Sequence, residues 1–214
     1  MEPRLDPKFT VKCVQCINPL SNVEEASLCL FITEKTKVVL RSDDQSWLGR
    51  CVVVPLAHVP KGCNMYLKYS ESAIDLEDCK DRLFKTYQAL FDMTIDNQAQ
   101  LGNLTRDENG QPTSIPEYYH VHHHFIPRYA TGAKWNGEVY LDAQWGKALN
   151  IDPDSGHRKL SLSREKLREL KETIQLKMIE MKLVSWKELE RALPTDRVRQ
   201  AAQQAGLTPP FSYS

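Results

Sequence analysis

At 214 residues, with 41% apolar and 26% charged side chains, the chain can build one well-packed domain with extensions, or two small ones. Its 28 basic and 28 acidic residues balance, which excludes a net electrostatic pull toward nucleic acid or an anionic membrane and leaves only a local basic pocket open. No apolar run reaches the roughly 20 residues of a bilayer span. The opening Met1-Glu2-Pro3-Arg4-Leu5-Asp6 lacks the apolar core of a signal peptide, so a globular protein of the cytosol is expected.

Residues 1–12 form an arm without periodicity. Cys13 and Cys16 follow, the one spaced pair among six cysteines; Cys29, Cys51, Cys63 and Cys79 stand singly. Such a pair is half of a zinc site, a redox couple, or simply two buried thiols. Residues 28–32 and 37–41 are apolar runs around Glu34-Lys35 and read as a β-hairpin. A polar loop from Ser42 to Ser46 leads through Trp47-Leu48-Gly49-Arg50 into a third strand, 51–56, which closes in Ala57-His58-Val59-Pro60. That strand is apolar throughout, which implies burial on both faces.

From residue 72 to about 91 the period changes. Leu76, Cys79, Leu83, Tyr87 and Leu90 recur at steps of three and four, the mark of one helix face. Ser72 with Asp75 suggests a capping box, and Glu77, Asp78, Lys80, Asp81 and Lys85 make the charged opposite face. A short strand ending near Leu104 is expected next, and 105–116, with its Asp, Glu, Asn, Gly and prolines, is expected to be a loop. Trp135, Tyr140 and Trp145 lie in a glycine-containing segment downstream; the two tryptophans suit either a stacked base or a covered sheet.

The last third changes character. From Ser163 a helix is expected with Leu167, Leu170, Ile174, Met178 and Met181 on one stripe. Ser185 and Glu188 form a second capping box for a short helix that Pro194 should stop, and a further helix from Asp196 should end at Gly206. The expected organisation is an arm (1–12), a mixed domain (13–150) and a helical extension (151–214).

Four of the six histidines lie in the stretch Tyr118-Tyr119-His120-Val121-His122-His123-His124-Phe125-Ile126-Pro127-Arg128-Tyr129. Its aromatic and branched residues predict a strand. Alternation puts His120, His122, His124 and Ile126 on one face, roughly 7 Å apart at two-residue spacing, and Val121, His123 and Phe125 on the other. Imidazoles in a row can bind a metal, shuttle protons or attack phosphorus. His123, on the opposite face, reads as packing.

His-Val-His-His-His-Phe-Ile-Pro-Arg-Tyr resembles the signature of the histidine triad superfamily, with three alternating histidines separated by apolar residues. Leu48-Gly49-Arg50-Cys51-Val52-Val53-Val54-Pro55-Leu56-Ala57-His58-Val59 is similar to that family's glycine–strand–proline–histidine segment. Asp96 to Asn103 sits where the family places a strand with a functional asparagine. The resemblance spans about 13–150 and implies an α+β fold: an antiparallel sheet of about five strands and one main helix, here with a helical C-terminal extension. It implies a nucleotide hydrolase that cleaves at a nucleoside α-phosphate, such as that of a diadenosine polyphosphate. His122 would be the nucleophile, His124 the phosphate ligand and Asn103 an orienting group, with no catalytic metal. A nucleotidyltransferase or phosphorylase is the related alternative. A non-catalytic nucleotide-binding module whose C-terminal helices dock a partner is the distinct one.

The uridylyltransferase branch of the superfamily implies a structural zinc held by Cys13, Cys16, His58 and His120. For the nucleoside, Leu30 or Phe31 would supply apolar wall and Asp43 would accept from ribose hydroxyls. Two departures stand out. Arg50 replaces a histidine found in many members and could fork onto a phosphate. Pro116-Glu117-Tyr118-Tyr119 replaces a Gly-Gln segment that donates to the leaving group. Relatives often dimerise through the main helix and a neighbouring sheet edge, which implies a homodimer here; the alternative is that the helix at 163–181 covers that surface and keeps the chain monomeric.

Overall fold

A hairpin of apolar strands is the first strand pair in a computed structural model that describes residues 27–57, 69–100, 105–106, 112–113, 120–150 and 159–207. Strands β1 (Cys29–Ile32) and β2 (Thr36–Leu40) pair antiparallel, and β2 pairs with β3 (Cys51–Pro55). The helix α1 (Ser70–Phe91) crosses over to β4 (Ile95–Ala99), and the histidine strand β7 (His123–Arg128) inserts between β3 and β4. The result is a five-stranded antiparallel sheet in the order β1-β2-β3-β7-β4. The α+β expectation, with one main helix on the sheet, holds.

The core lies between α1 and one face of the sheet. Tyr87 meets Phe125 edge-on with ring centroids 5.8 Å apart, and Phe91 meets Tyr129 at 6.5 Å. Leu76, Cys79, Leu83 and Tyr87 are buried as their periodicity requires, while Leu90 is half-buried. Every residue of β3 is buried, as its unbroken apolar run predicts.

Three local expectations need correction. The helix starts at Ser70, so Ser72 falls inside its first turn; Asp75 accepts from Thr33 Oγ1 at 2.6 Å instead of capping. Lys80, expected on the charged face, is buried, with its ammonium donating to Glu77 and Gln98 at 2.6 Å each. The segment expected to be a loop carries two short paired strands, β5 (Thr105–Arg106) and β6 (Pro112–Thr113). β4 forms where a short strand was expected, spanning Ile95–Ala99; Leu104 lies outside the described residues.

After β7 a small ladder of β8 (Ala133–Trp135) and β9 (Glu138–Tyr140) leads to the helical extension: α2 (Arg164–Glu180), α3 (Trp186–Glu190) and α4 (Asp196–Gln204). Ser163, Ser185 and Thr195 cap them, and Ser185 with Glu188 forms the expected reciprocal capping box. Leu170, Ile174 and Met178 of α2 have no exposed surface and pack in the same core as α1 and β1. β1 is an edge strand with a bulge between Cys29 and Phe31. The extension closes that edge: Gln175 Nε2 donates to the carbonyl of Leu30 at 2.7 Å, and Arg191 donates to that of Thr33. Among the described residues no helix is long and apolar enough to cross a membrane.

Candidate active site

β7 is hydrogen-bonded on both flanks, so its side chains project from the middle of a rigid sheet. Regular pairing begins at His123, and His120 to His122 approach it as extended chain. The predicted alternation still holds across this entry. The rings of His122 and His124 stand edge-to-face with centroids 5.1 Å apart. His123 lies on the opposite, helix-facing side, where burial first and Lys80 second push its pKa down to about 4.

The backbone sets the tautomer of His122. Its Nδ1 lies 3.1 Å from the carbonyl oxygen of His120, a group that only accepts, so Nδ1 carries the hydrogen and the lone pair is left on Nε2. Burial, with Arg41 adding to it, holds the His122 pKa below its ordinary value. His124 is nearly enclosed, and its Nδ1 has no hydrogen-bond partner among the described residues. Burial, then His122, Arg50 and Arg41, push its pKa down to about 3 against the opposing pull of Asp43. Both imidazoles are therefore neutral near pH 7, and the surroundings of His124 favour an anion.

The arginines that supply this field come from one end of β2 and β3. Val52 pairs with His124, and Arg50, two residues earlier, shares its face. Arg41 continues β2 alongside, its N–H donating to the Arg50 carbonyl at 3.0 Å. Gln45 ties the turn together: its Nε2 donates to the carbonyls of Arg41 (2.6 Å) and Arg50 (3.0 Å), and its Oε1 accepts from Gly49 N–H at 2.8 Å. The Arg50 guanidinium is buried, pairs with Asp44 at 2.7 Å and lies over the Trp47 ring at 5.5 Å. Arg41 forks onto Asp43, with Nε to Oδ1 at 2.7 Å. Burial raises the Asp43 pKa, but Arg41 more than reverses this, and the carboxyl ends below its ordinary value.

The Pro-Arg-Tyr ending of the motif is scaffold. Arg128 pairs with the buried Asp142 and donates to the Gln144 carbonyl at 2.6 Å, while Asp142 also accepts from Trp47 Nε1 at 3.2 Å. Tyr129 donates its hydroxyl to the Leu48 carbonyl at 2.6 Å. Both bonds lock the strand that bears the histidines to the Trp47–Arg50 turn.

Of the residues named from the sequence, the structure brings His122, His124, Arg50 and Asp43 together. Phe31 is not among them. It is fully buried beneath the Arg82 guanidinium of α1, on the helix side, because the row Phe31–Val38–Val53–His123 shares the face opposite His124. Trp135 packs on α2, its Nε1 donating to Thr173 Oγ1 at 3.4 Å, and Trp145 lies under Arg128. His120 places Nε2 2.7 Å from the Pro55 carbonyl. Cys13, Cys16, His58 and Asn103 lie outside the described residues, as does the Pro116–Tyr119 segment. Among the described residues no group of three or more His, Cys, Asp or Glu side chains is arranged to hold a metal. Sequence reasoning missed Arg41 and Gln45; the signal for Arg41 was an arginine directly after one apolar run and another, Arg50, directly before the next.

No family model and no curated protein matches the sequence. Among solved structures, the uncharacterized protein LPG0439 is similar over 85% of this chain and 87% of its own, with a TM-score of 0.54 at 16% identity. This chain has the same fold. A histidine triad protein from Bradyrhizobium japonicum is 16% identical over 73% of this chain and 94% of its own, with a TM-score of 0.45. A histidine triad protein from Marinobacter aquaeolei VT8 is 20% identical over 77% of this chain and 97% of its own, with a TM-score of 0.44. The likeness to LPG0439 is one of fold alone. The triad resemblance itself rests on the motif, and the five-stranded sheet with its main helix is the architecture it implies.

Proposed function

We propose that the chain is a histidine triad enzyme that cleaves a nucleotide conjugate at the nucleoside α-phosphate through a nucleotidyl-histidine intermediate. The observation that carries this is His122: a neutral imidazole whose Nδ1 hydrogen is held by the His120 carbonyl, 5.1 Å from a second neutral imidazole. A fixed tautomer presents the Nε2 lone pair to phosphorus. As Nε2 bonds to the α-phosphorus, the bond to the leaving group breaks and its electron pair departs with that group. The resulting imidazolium is stabilised at Nδ1–H by the same carbonyl. His124 offsets the charge on the equatorial oxygens, a role typically worth a few kcal/mol. Water then attacks the phosphorus, releasing the nucleotide and the imidazole; another acceptor in its place would give a transferase. A diadenosine polyphosphate is the substrate that best matches this reading, with Asn103 orienting the phosphate.

The proposed structural zinc would be held by Cys13, Cys16, His58 and His120. Two thiolates and two neutral imidazoles suit a tetrahedral site. The Pro55 carbonyl 2.7 Å from His120 Nε2 supports the fit, since it holds the ring in one orientation, as a ligating imidazole requires. Zinc would brace the N-terminal arm. Metal analysis of the purified protein beside Cys13→Ser tests this, and a folded protein free of zinc refutes it.

The function is tested by incubation with diadenosine polyphosphates and nucleoside phosphoramidates, comparing wild type with His122→Ala. Turnover in the wild type and its loss in the variant are expected. Turnover that survives the substitution sinks the nucleophile assignment, and tight binding without turnover by the wild type selects the non-catalytic module.

A further inference from the structure

Two guanidiniums, those of Arg41 and Arg50, stand together at the end of β2 and β3 within the field felt by His124. Arg50 stands where its buried side chain cannot be solvated: one arm reaches Asp44, yet Nε, also buried, has no hydrogen-bond partner among the described residues. A buried guanidinium N–H without an acceptor is costly to maintain. His124 Nδ1, one step along the same sheet face, is likewise without a partner among the described residues. Arg41 sits beside Arg50 with its guanidinium a third exposed, held by Asp43, which is itself nearly half exposed. The backbone bond from Arg41 to Arg50 and the Gln45 bridge fix the two Cα positions relative to each other, so the pair is built before any ligand arrives. The helical extension reinforces the turn: the Leu160 carbonyl accepts from Gln45 N–H at 2.8 Å, and Leu160 N–H donates to Ser46 Oγ at 2.9 Å.

We infer that Arg41 and Arg50 form a subsite for a second phosphate of the substrate, beside the phosphate held at His122 and His124. This rests on the nucleotide-hydrolase reading and narrows its substrate class to nucleotides bearing at least two phosphates. Arg50 supplies the buried, immobile donor. Arg41 supplies the exposed one, turning from Asp43 to the incoming anion and leaving that carboxylate to accept from ribose hydroxyls. The second phosphate has two chemical sources, the polyphosphate chain of the leaving group or a phosphate carried on the ribose.

The test is equilibrium binding to full-length His122→Ala, alone and combined with Arg41→Gln, so that no ligand is consumed. The probes are inorganic phosphate and pyrophosphate, AMP and ADP, and adenosine 2′,5′-bisphosphate. A two-phosphate ligand should bind at least about tenfold tighter than its one-phosphate counterpart, as a charge-assisted hydrogen bond warrants, and Arg41→Gln should abolish the gain. A gain with pyrophosphate or ADP places the second phosphate in the chain; a gain only with the bisphosphate places it on the ribose. Equal binding of one- and two-phosphate ligands, no binding at all, or a gain that persists in Arg41→Gln overturns the subsite. Because removing Arg50 takes away the buried cation that pairs with Asp44, Arg50→Lys serves as the second variant: it keeps the charge, loses the fork, and should lose most of the gain while retaining the wild-type thermal transition. These binding outcomes are independent of turnover, so an inactive protein that still shows the Arg41-dependent gain rejects the hydrolase reading and keeps the subsite.

Discussion

Tyr87, near the C-terminal end of the main helix, donates its hydroxyl to the carbonyl of Gly49 at 2.8 Å, and its ring occupies the space a side chain at position 49 would need. Gly49 has φ +88°, and a Cβ there would lie 2.8 Å from Tyr87 Cε2. The helix therefore meets the arginine turn through a tyrosine ring laid directly on the Gly49 backbone. Gly49→Ala combines a left-handed penalty of about 1–2 kcal/mol with a clash against a ring that cannot retreat, for a total loss of about 2–4 kcal/mol. Urea unfolding checks this; a loss under about 0.5 kcal/mol contradicts it.

Arg128 and Asp142 form a pair with almost no exposed surface. Arg128→Met leaves a buried carboxylate uncompensated and should cost about 3–5 kcal/mol. Adding Asp142→Asn removes the charge and should recover part of that loss. A double-mutant cycle by chemical denaturation measures the coupling, and strictly additive losses contradict it.

Acid should destabilise the fold before the carboxylates titrate. The folded-state pKa of His123 is down at about 4 and that of His124 at about 3, through burial first, against an ordinary 6.5. Between those values and 6.5 the unfolded chain binds more protons than the folded one. Stability is therefore complete above about pH 6.5 and declines as pH falls through this window, by up to about 1.4 kcal/mol per pH unit per proton. His123→Gln should flatten the slope from pH 6.5 to 4 by up to one proton, measured as unfolding free energy against pH.

Gln175 reaches from α2 to the bulged carbonyl of Leu30. Gln175→Leu leaves that buried acceptor without its donor and should cost about 1–3 kcal/mol. Hydrogen exchange should show faster opening of β1 relative to β3.

The same extension occupies one flank of α1 and the β1 edge. Light scattering of the full-length chain should therefore report the mass of a single copy. A stable dimer at micromolar concentration would show that association uses another surface, such as the β4 edge.

Much of this was legible in the chain. The hairpin, the third strand, the main helix and the capped helices of the extension followed from local periodicity and capping chemistry, which act over a few residues. So did the shared face of His122 and His124, since alternation in extended chain is a property of the backbone. Phe31 was misplaced because facing also depends on where the register shifts, and the bulge before it lies at Leu30, whose carbonyl is held by Gln175, 145 residues further along the chain. Lys80 was misread because helical spacing marks a polar face but not the strand that later covers it.

The sequence by itself determined which side chains can do chemistry: a run of imidazoles on an apolar strand, and a glycine turn bearing an arginine. Only the tertiary structure decided what surrounds them. Pairing β7 against β3, and β3 against β2, brought Arg41 and Arg50 from separate strands to the same sheet face as His124. Burial then did what no motif encodes. By removing water it made the imidazoles neutral, and it left a guanidinium N–H and an imidazole nitrogen with no hydrogen-bond partner among the described residues.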